Sequence, residues 1–295
     1  SYWLANPAKP LTGFPLIVGD EGTERTLRTR IGLVMTTSRI DGTDGKPGKG
    51  FTRQNLQDLV FSDRSYTGEM GRDDVVAMCK GFTGGLAPTS SGTPVDVGNA
   101  CDVLAAWDRH EDVRSRGSLL WRAFFGGALA AQGGPWVNAF DPADPVHTPN
   151  TVNTQSPAVQ QAFGDAVASL RASGIDAGAQ QGSYQYAQRG KLKIMIPGGP
   201  GDPEGQFNAI AVRTTAGKPG LVDPVHGSSF VQVVGWTSSE WPDARTILTY
   251  SESDNPSSPH YADQTRLFSS KTWVTERFSP ASVKGHAVST LHLTA

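Results

Sequence analysis

No stretch of this sequence approaches the roughly 20 consecutive apolar residues that would span a bilayer, so no membrane span is expected. Charge is sparse as well. Only 18% of residues are charged, the net charge is -2, and no long run of one sign occurs. That argues against a nucleic-acid partner, whose phosphates demand a basic face. Cysteine is scarcer still. Cys79 and Cys101 stand alone, with no CxxC and no neighbouring histidine pair, and two thiols do not supply the four ligands of a structural metal site. The histidines His110, His147, His226, His260, His286 and His292 show no HExxH or other paired ligand spacing. PGGPGDPEG lacks the Lys-Ser/Thr of a phosphate loop, and HGSSF does not meet the GxSxG of a nucleophile elbow. No self-contained catalytic constellation is therefore present. The first residues carry no charged-then-apolar leader, so an exported protein would depend on a signal upstream.

Turn formers, by contrast, are plentiful: 34 Gly and 20 Pro in 295 residues point to short elements joined by many loops. A chain of this length can bury one large core or two modest ones. Cys79 and Cys101 bracket one of the loops, KGFTGGLAPTSSGTPVDVGN. They are either two buried free thiols or a disulfide. The disulfide is favoured, because a floppy segment between two helices gains most from a crosslink, about 3 kcal/mol in the chain-entropy model. Such a bond implies an oxidising compartment.

The first half reads as helical. In DVGNACDVLAAWD, Val97, Cys101, Leu104 and Trp107 share one helical face, with Asp96 placed to cap it. Thr52 is a cap for a helix carrying Leu56, Leu59 and Val60. SPAVQQAFGDAVASLRASG has Ser156 as N-cap, Pro157 in the first turn, an apolar stripe of Val159, Phe163, Val167 and Leu170, and Gly174 to end it. From about residue 183 the period drops to two. Leu192, Ile194 and Ile196 alternate with Lys191, Lys193 and Met195, and SSFVQVVGW, ARTILTYS and AVSTLHL read as strands. FVQVV and TILTY are apolar at nearly every position, as strands buried on both faces are. The expected organisation is an α+β chain, with a mostly helical part over 1–182 and a strand-rich part over 183–295. PGGPGDPEG is the expected flexible loop.

The chain opens SYWLANP, with serine in place of methionine. Some hydrolases use the α-amine and side chain of their first residue as base and nucleophile, so Ser1 is either such a residue or a position inside a longer protein. Several segments bear on this. SYWLANPAKPLTGFP, EGTERTLRTRIGL, NACDVLAAWDR, IPGGPGDPEGQFNAI, HGSSFVQVVGW and YSESDNPSSPHYADQTRLFSSKTW resemble, in the same order, the large chain of the penicillin acylase family of N-terminal nucleophile (Ntn) hydrolases. SPHYADQTRLF is the most specific of them. The likeness is nearest to the aculeacin A acylase branch, which includes acyl-homoserine lactone acylases.

The resemblance implies an αββα Ntn-hydrolase sandwich to which this chain supplies outer helices and core strands. It also implies hydrolysis of the amide bond of N-acylated substrates of lactone, penicillin or lipopeptide type. No cofactor is implied. In that family the large chain starts with Ser-Asn, whereas Ser1 precedes Tyr2 and Trp3. SYWLANP matches a position well inside the large chain, a little after the oxyanion-hole asparagine. The resemblance therefore disfavours Ser1 as nucleophile. It puts the true serine, the oxyanion asparagine and most of the acyl pocket upstream, and makes a small α chain and the N-terminal part of the β chain the expected partners. Its register gives Arg28 as a second-shell arginine beside the oxyanion hole, with a structural ion pair to Glu24 as the alternative. Arg30 lies about 200° further round a helix and faces elsewhere. Asn6 is either a loop residue contacting the site or the turn residue of ANP, and the turn is favoured. The family also implies a disulfide ending at Cys101 and a secreted or periplasmic location. The rival reading is a secreted non-catalytic binding or structural module.

Overall fold

A computed structural model describes residues 2–215, 218–236 and 240–293; Ser1 lies outside them. The chain divides into two compact units, Ser1–Gly50 with Val60–Gly227, and Phe51–Leu59 with Ser228–Ala295. Its helices are α1 (Leu27–Asp41), α2 (Arg53–Val60), α3 (Tyr66–Lys80), α4 (Gly98–Ala106), α5 (Ser118–Ala130), α6 (Pro157–Ala172), α7 (Gln181–Tyr184), α8 (Asp263–Ser269) and α9 (Pro280–Gly285). Strands β1 (Leu86–Ala87) and β2 (Val95–Asp96), and likewise β3 (Trp136–Asn138) and β4 (Asn150–Val152), form two-stranded ribbons. A four-stranded sheet runs in the order β6-β5-β8-β7, from β5 (Gln185–Arg189), β6 (Leu192–Met195), β7 (Ile210–Thr215) and β8 (Lys218–Gly227). A three-stranded antiparallel sheet has β10 (Asp243–Leu248) between β11 (Val274–Thr275) and β9 (Phe230–Gly235). The architecture is a mixed α and β one, of helices and small sheets.

The helical stripes of the larger unit build its core. Val97, Cys101, Leu104 and Trp107 are all buried, as are Val159, Phe163, Val167 and Leu170. Trp107 and Trp121 lie 5.4 Å apart by ring centroids, Trp121 stacks on Phe125 at 5.8 Å, and Phe124 meets Phe163 edge-on at 5.6 Å. Such ring pairs add to the burial of their area. The Trp121 indole, which could not be buried without a partner, donates to Thr67 Oγ1 at 2.9 Å. Cys79 at the end of α3 and Cys101 in α4 form the disulfide, with Cα atoms 5.7 Å apart.

Several local expectations need adjusting. Asp96 does accept the Gly98 amide at 3.0 Å, but the cap position itself belongs to Val97. Ser156 occupies the N-cap of α6 without a side-chain cap bond. PGGPGDPEG is not an open loop: Gly198, Gly199, Gly201, Glu204 and Gly205 are buried.

In the smaller unit, Thr52 Oγ1 accepts from the Asn55 amide at 3.2 Å and starts α2. From that helix Arg53 Nε reaches Asp243 Oδ2 at 2.6 Å, tying α2 to β10. Thr246 and Ile247 are consecutive and both buried, so the central strand β10 is covered on both faces as its composition suggests. FVQVV is not. β9 is an edge strand, Val233 is buried, and Phe230 is 59% exposed. AVSTLHL forms no strand over its described residues, because alternation expresses a propensity that needs a neighbouring strand to act on. Val288, Leu291 and Leu293 are exposed there.

Candidate functional site

Thr26 Oγ1 accepts the Thr29 amide at 3.3 Å and starts α1, placing Arg28 in its first turn. Arg28 is half-buried. Its Nε donates to the Phe207 carbonyl at 3.0 Å, and its guanidinium carbon lies 5.5 Å from the centre of the Phe207 ring. Among the described residues no hydrogen bond occupies its terminal nitrogens and no carboxylate is within ion-pair distance, so the alternative pairing with Glu24 is not made. Arg30 does face elsewhere. It is fully buried, donates from Nε to the Val146 carbonyl at 2.7 Å, and lies 5.2 Å from the Tyr66 ring centre. Burial pulls its guanidinium below its ordinary value. Two arginines two residues apart thus have separate tasks: one packed into the core, one presenting free N–H groups.

The segment before α1 is fixed by charge. The Tyr2 hydroxyl donates to the Glu21 carboxylate, which also accepts the Gly13 and Phe14 amides at 3.0 and 2.9 Å. Desolvation and that carboxylate push the Tyr2 phenol up to about 12. Arg25 lies over Trp3, 5.3 Å from the ring centre. Asn6 is the turn residue expected of it: the Lys9 amide returns to its carbonyl at 3.1 Å.

Behind Phe207 is a feature that reading the sequence missed. Glu111 and Glu204 are both buried, and the Gln206 amide nitrogen donates to both, 2.9 Å from Glu111 Oε1 and 3.2 Å from Glu204 Oε2. Arg122 of α5 donates to Glu111, and to Gln185 Oε1 at 2.7 Å. Gln181 and Gln185 each donate to the Gly198 carbonyl at 2.8 Å, while Asn208 donates to Asp63 Oδ1 at 2.9 Å. The Thr67 amide donates to the Glu204 carbonyl at 3.1 Å. Segments far apart in sequence are thereby knitted to 197–208. The glycines make room. A Cβ on Gly199 would fall 2.5 Å from Glu111 Oε2, and Gly201, at φ +80, would meet Ala209 Cβ at 2.7 Å.

Burial, then the neighbouring Glu111 charge, hold the Glu204 carboxyl well above the usual carboxylate range, against the opposing pull of Arg122. Two carboxylates facing one guanidinium in a dry cluster favour keeping a proton on the pair, and the upward shift falls on Glu204. The signal available in the sequence was the run of Glu204, Gln206 and Asn208 at alternate positions in a glycine-rich segment.

Matches to known proteins span nearly the whole chain. The family model for penicillin amidase matches residues 6–285. The chain is 42% identical over 286 residues to aculeacin-A acylase of Actinoplanes utahensis, covering 96% of this chain and 35% of that protein. It is 32% identical over 294 residues to the acyl-homoserine lactone acylase PvdQ of Pseudomonas syringae pv. syringae, with the same two coverages. The chain thus spans about a third of the length of the curated relatives it matches. Among solved structures, a thermostable penicillin G acylase from Alcaligenes faecalis aligns with 88% of this chain and 52% of its own, at 14% identity and a TM-score of 0.42, too loose a likeness for any argument to rest on.

Proposed function

The chain belongs to the penicillin amidase family, and from that premise we propose that it is the C-terminal portion of the catalytic chain of an acylase that hydrolyses N-acylated substrates. The observation that carries this reading is the 42% identity to an acylase over 96% of the chain. The nucleophile is an N-terminal serine upstream of residue 1. Its hydroxyl adds to the amide carbonyl carbon while its own α-amine takes the proton. The tetrahedral oxyanion then collapses, and the amine leaves with that proton. Water repeats the sequence on the acyl-enzyme and releases the acid. No external cofactor enters this sequence.

Arg28 is the residue of this chain with a part in that reaction. Its unoccupied terminal N–H groups support a role beside the oxyanion hole, where a fixed positive charge lowers the barrier by a few kcal/mol. The αββα sandwich is the fold the assembled protein would adopt. Its remaining segments, a small α chain and the N-terminal part of the β chain, are the partners. Leu16 and Ile17, 81% and 94% exposed in this chain alone, are the kind of surface such partners cover. The disulfide supports a secreted or periplasmic location. The substrate class is an acyl-homoserine lactone, a penicillin or a lipopeptide.

The test is to express the full-length protein, sequence the N-terminus of each mature chain, and assay acid release from N-acyl-homoserine lactones, penicillin V and a chromogenic long-chain acyl amide. An upstream Ser-initiated chain with turnover that is lost on replacing that serine is the expected result. Properly matured protein that releases no acid from any of the three would remove the acylase reading.

A further inference from the structure

We propose that the buried Glu111–Gln206–Glu204 cluster is a positioning device for Arg28, acting through the Phe207 carbonyl; this rests on the role given to Arg28 above. Phe207 stands between two residues whose side chains are anchored, Gln206 to Glu111 and Glu204, and Asn208 to Asp63. Its peptide group cannot turn without breaking those bonds. Arg28 in turn takes its direction from that group: Nε binds the carbonyl at 3.0 Å and the guanidinium lies over the ring of the same residue. The terminal nitrogens therefore point where residues 206–208 send them.

The anchor depends on a proton. Glu204 and Gln206 ride on the same segment, while Glu111 sits between α4 and α5 and is held by Arg122. The charged groups facing Glu204 are thus Glu111 and Arg122. From α3, Thr67 offers its amide and hydroxyl to the Glu204 carbonyl, and the Tyr66 phenol goes instead to the Val146 carbonyl. Ionising Glu204 puts a second negative charge against Glu111 in a dry site. The repulsion is relieved by moving 197–208, which carries Phe207 with it. Because the folded value of Glu204 is raised, its contribution to stability is fully present below about pH 4.5 and is lost as pH rises through the folded value.

The experiment uses the mature full-length protein and its Glu204→Gln variant, which keeps a neutral hydrogen-bonding group. Three readouts are taken at about pH 6 and about pH 9: hydrogen exchange of 197–208 corrected for intrinsic rate, labelling of Arg28 by phenylglyoxal relative to the exposed Arg114, and kcat and KM for an acyl amide. In the wild type, exchange is expected to rise about tenfold and the Arg28/Arg114 labelling ratio to change about threefold. The variant should flatten both changes and soften the alkaline fall in kcat, with KM unmoved. Wild type and variant alike at both pH values would overturn the proposal, as would flattened exchange with unaltered Arg28 labelling. Should the variant not fold, the wild-type pH series decides alone, and a labelling ratio that ignores pH refutes it. If exchange and labelling behave as expected but no acyl amide is cleaved, the acylase reading falls and the placement of Arg28 by the cluster stands.

Discussion

Replacing Cys79 and Cys101 together by alanine should lower the stability of the larger unit by about 3 kcal/mol. The bond closes a 22-residue separation, and the chain-entropy relation gives about that value for a loop of such size. Two structural details adjust it in opposite directions. The β1–β2 ribbon lies inside the loop, and any residual turn it keeps when unfolded reduces the entropy the crosslink removes. Cys79 and Cys101 are 1% and 4% exposed, so truncation also leaves a small buried gap, which adds to the loss. For a unit of roughly 220 residues, a 3 kcal/mol change corresponds to a fall in Tm of about 6–12 °C. Differential scanning calorimetry of the full-length protein measures this directly. Thiol titration of the denatured, unreduced wild type should find neither cysteine free. Dithiothreitol in native buffer should reduce the bond only at the rate at which the unit opens, since neither sulfur is accessible from outside. A Tm within a degree of the wild type, or reduction as fast as in an exposed disulfide, would refute this account of what the crosslink does.

Arg28→Ala should lower kcat of the assembled enzyme roughly 30- to 150-fold, the equivalent of one lost charge-assisted contact of about 2–3 kcal/mol, while leaving Tm nearly unchanged because the side chain is only half-buried. Arg30→Ala should do the reverse and depress folding, since it empties a fully buried site and leaves the Val146 carbonyl only the longer bond from the Tyr66 hydroxyl; equal kinetic effects of the two substitutions, read by steady-state assay beside circular dichroism, would mean the roles are misassigned. Gly164→Ala should destabilise by about 3 kcal/mol, because its Cβ would fall 2.0 Å from the Pro88 backbone oxygen, and an unshifted urea midpoint would show that α6 has slack at that point.

Much of the helical half was legible because its signals are local. Pro157 in the first turn, a stripe at spacings of three and four, and Gly174 at the end of α6 all sit within one window of sequence, and tertiary packing merely agreed with them. The strands were legible as propensity but not as environment. FVQVV and TILTY have similar composition, yet one is the edge β9 and the other the central β10, and only the pairing order distinguishes them. The Glu111–Gln206–Glu204 cluster was only half legible, for a further reason. Glu204 and Gln206 are neighbours, but Glu111 lies some 95 residues from Gln206, and each alone is a polar residue of the kind that ordinarily faces water. What gives them a common site is the folding of the 197–208 segment against α3 and α5, which no window of sequence contains.

The smaller unit is assembled from two pieces, 51–59 and 228 onward, with about 170 residues between them. During synthesis the α2 segment leaves the ribosome long before its partner strands do, by roughly 10–30 s at ordinary elongation rates. Throughout that interval Arg53 has no Asp243 to hold. That leaves 51–59 without its partner until the residues from 228 onward have been made. The order of birth is thus the reverse of the order of need: the first piece of the smaller unit waits for the strand that carries Asp243.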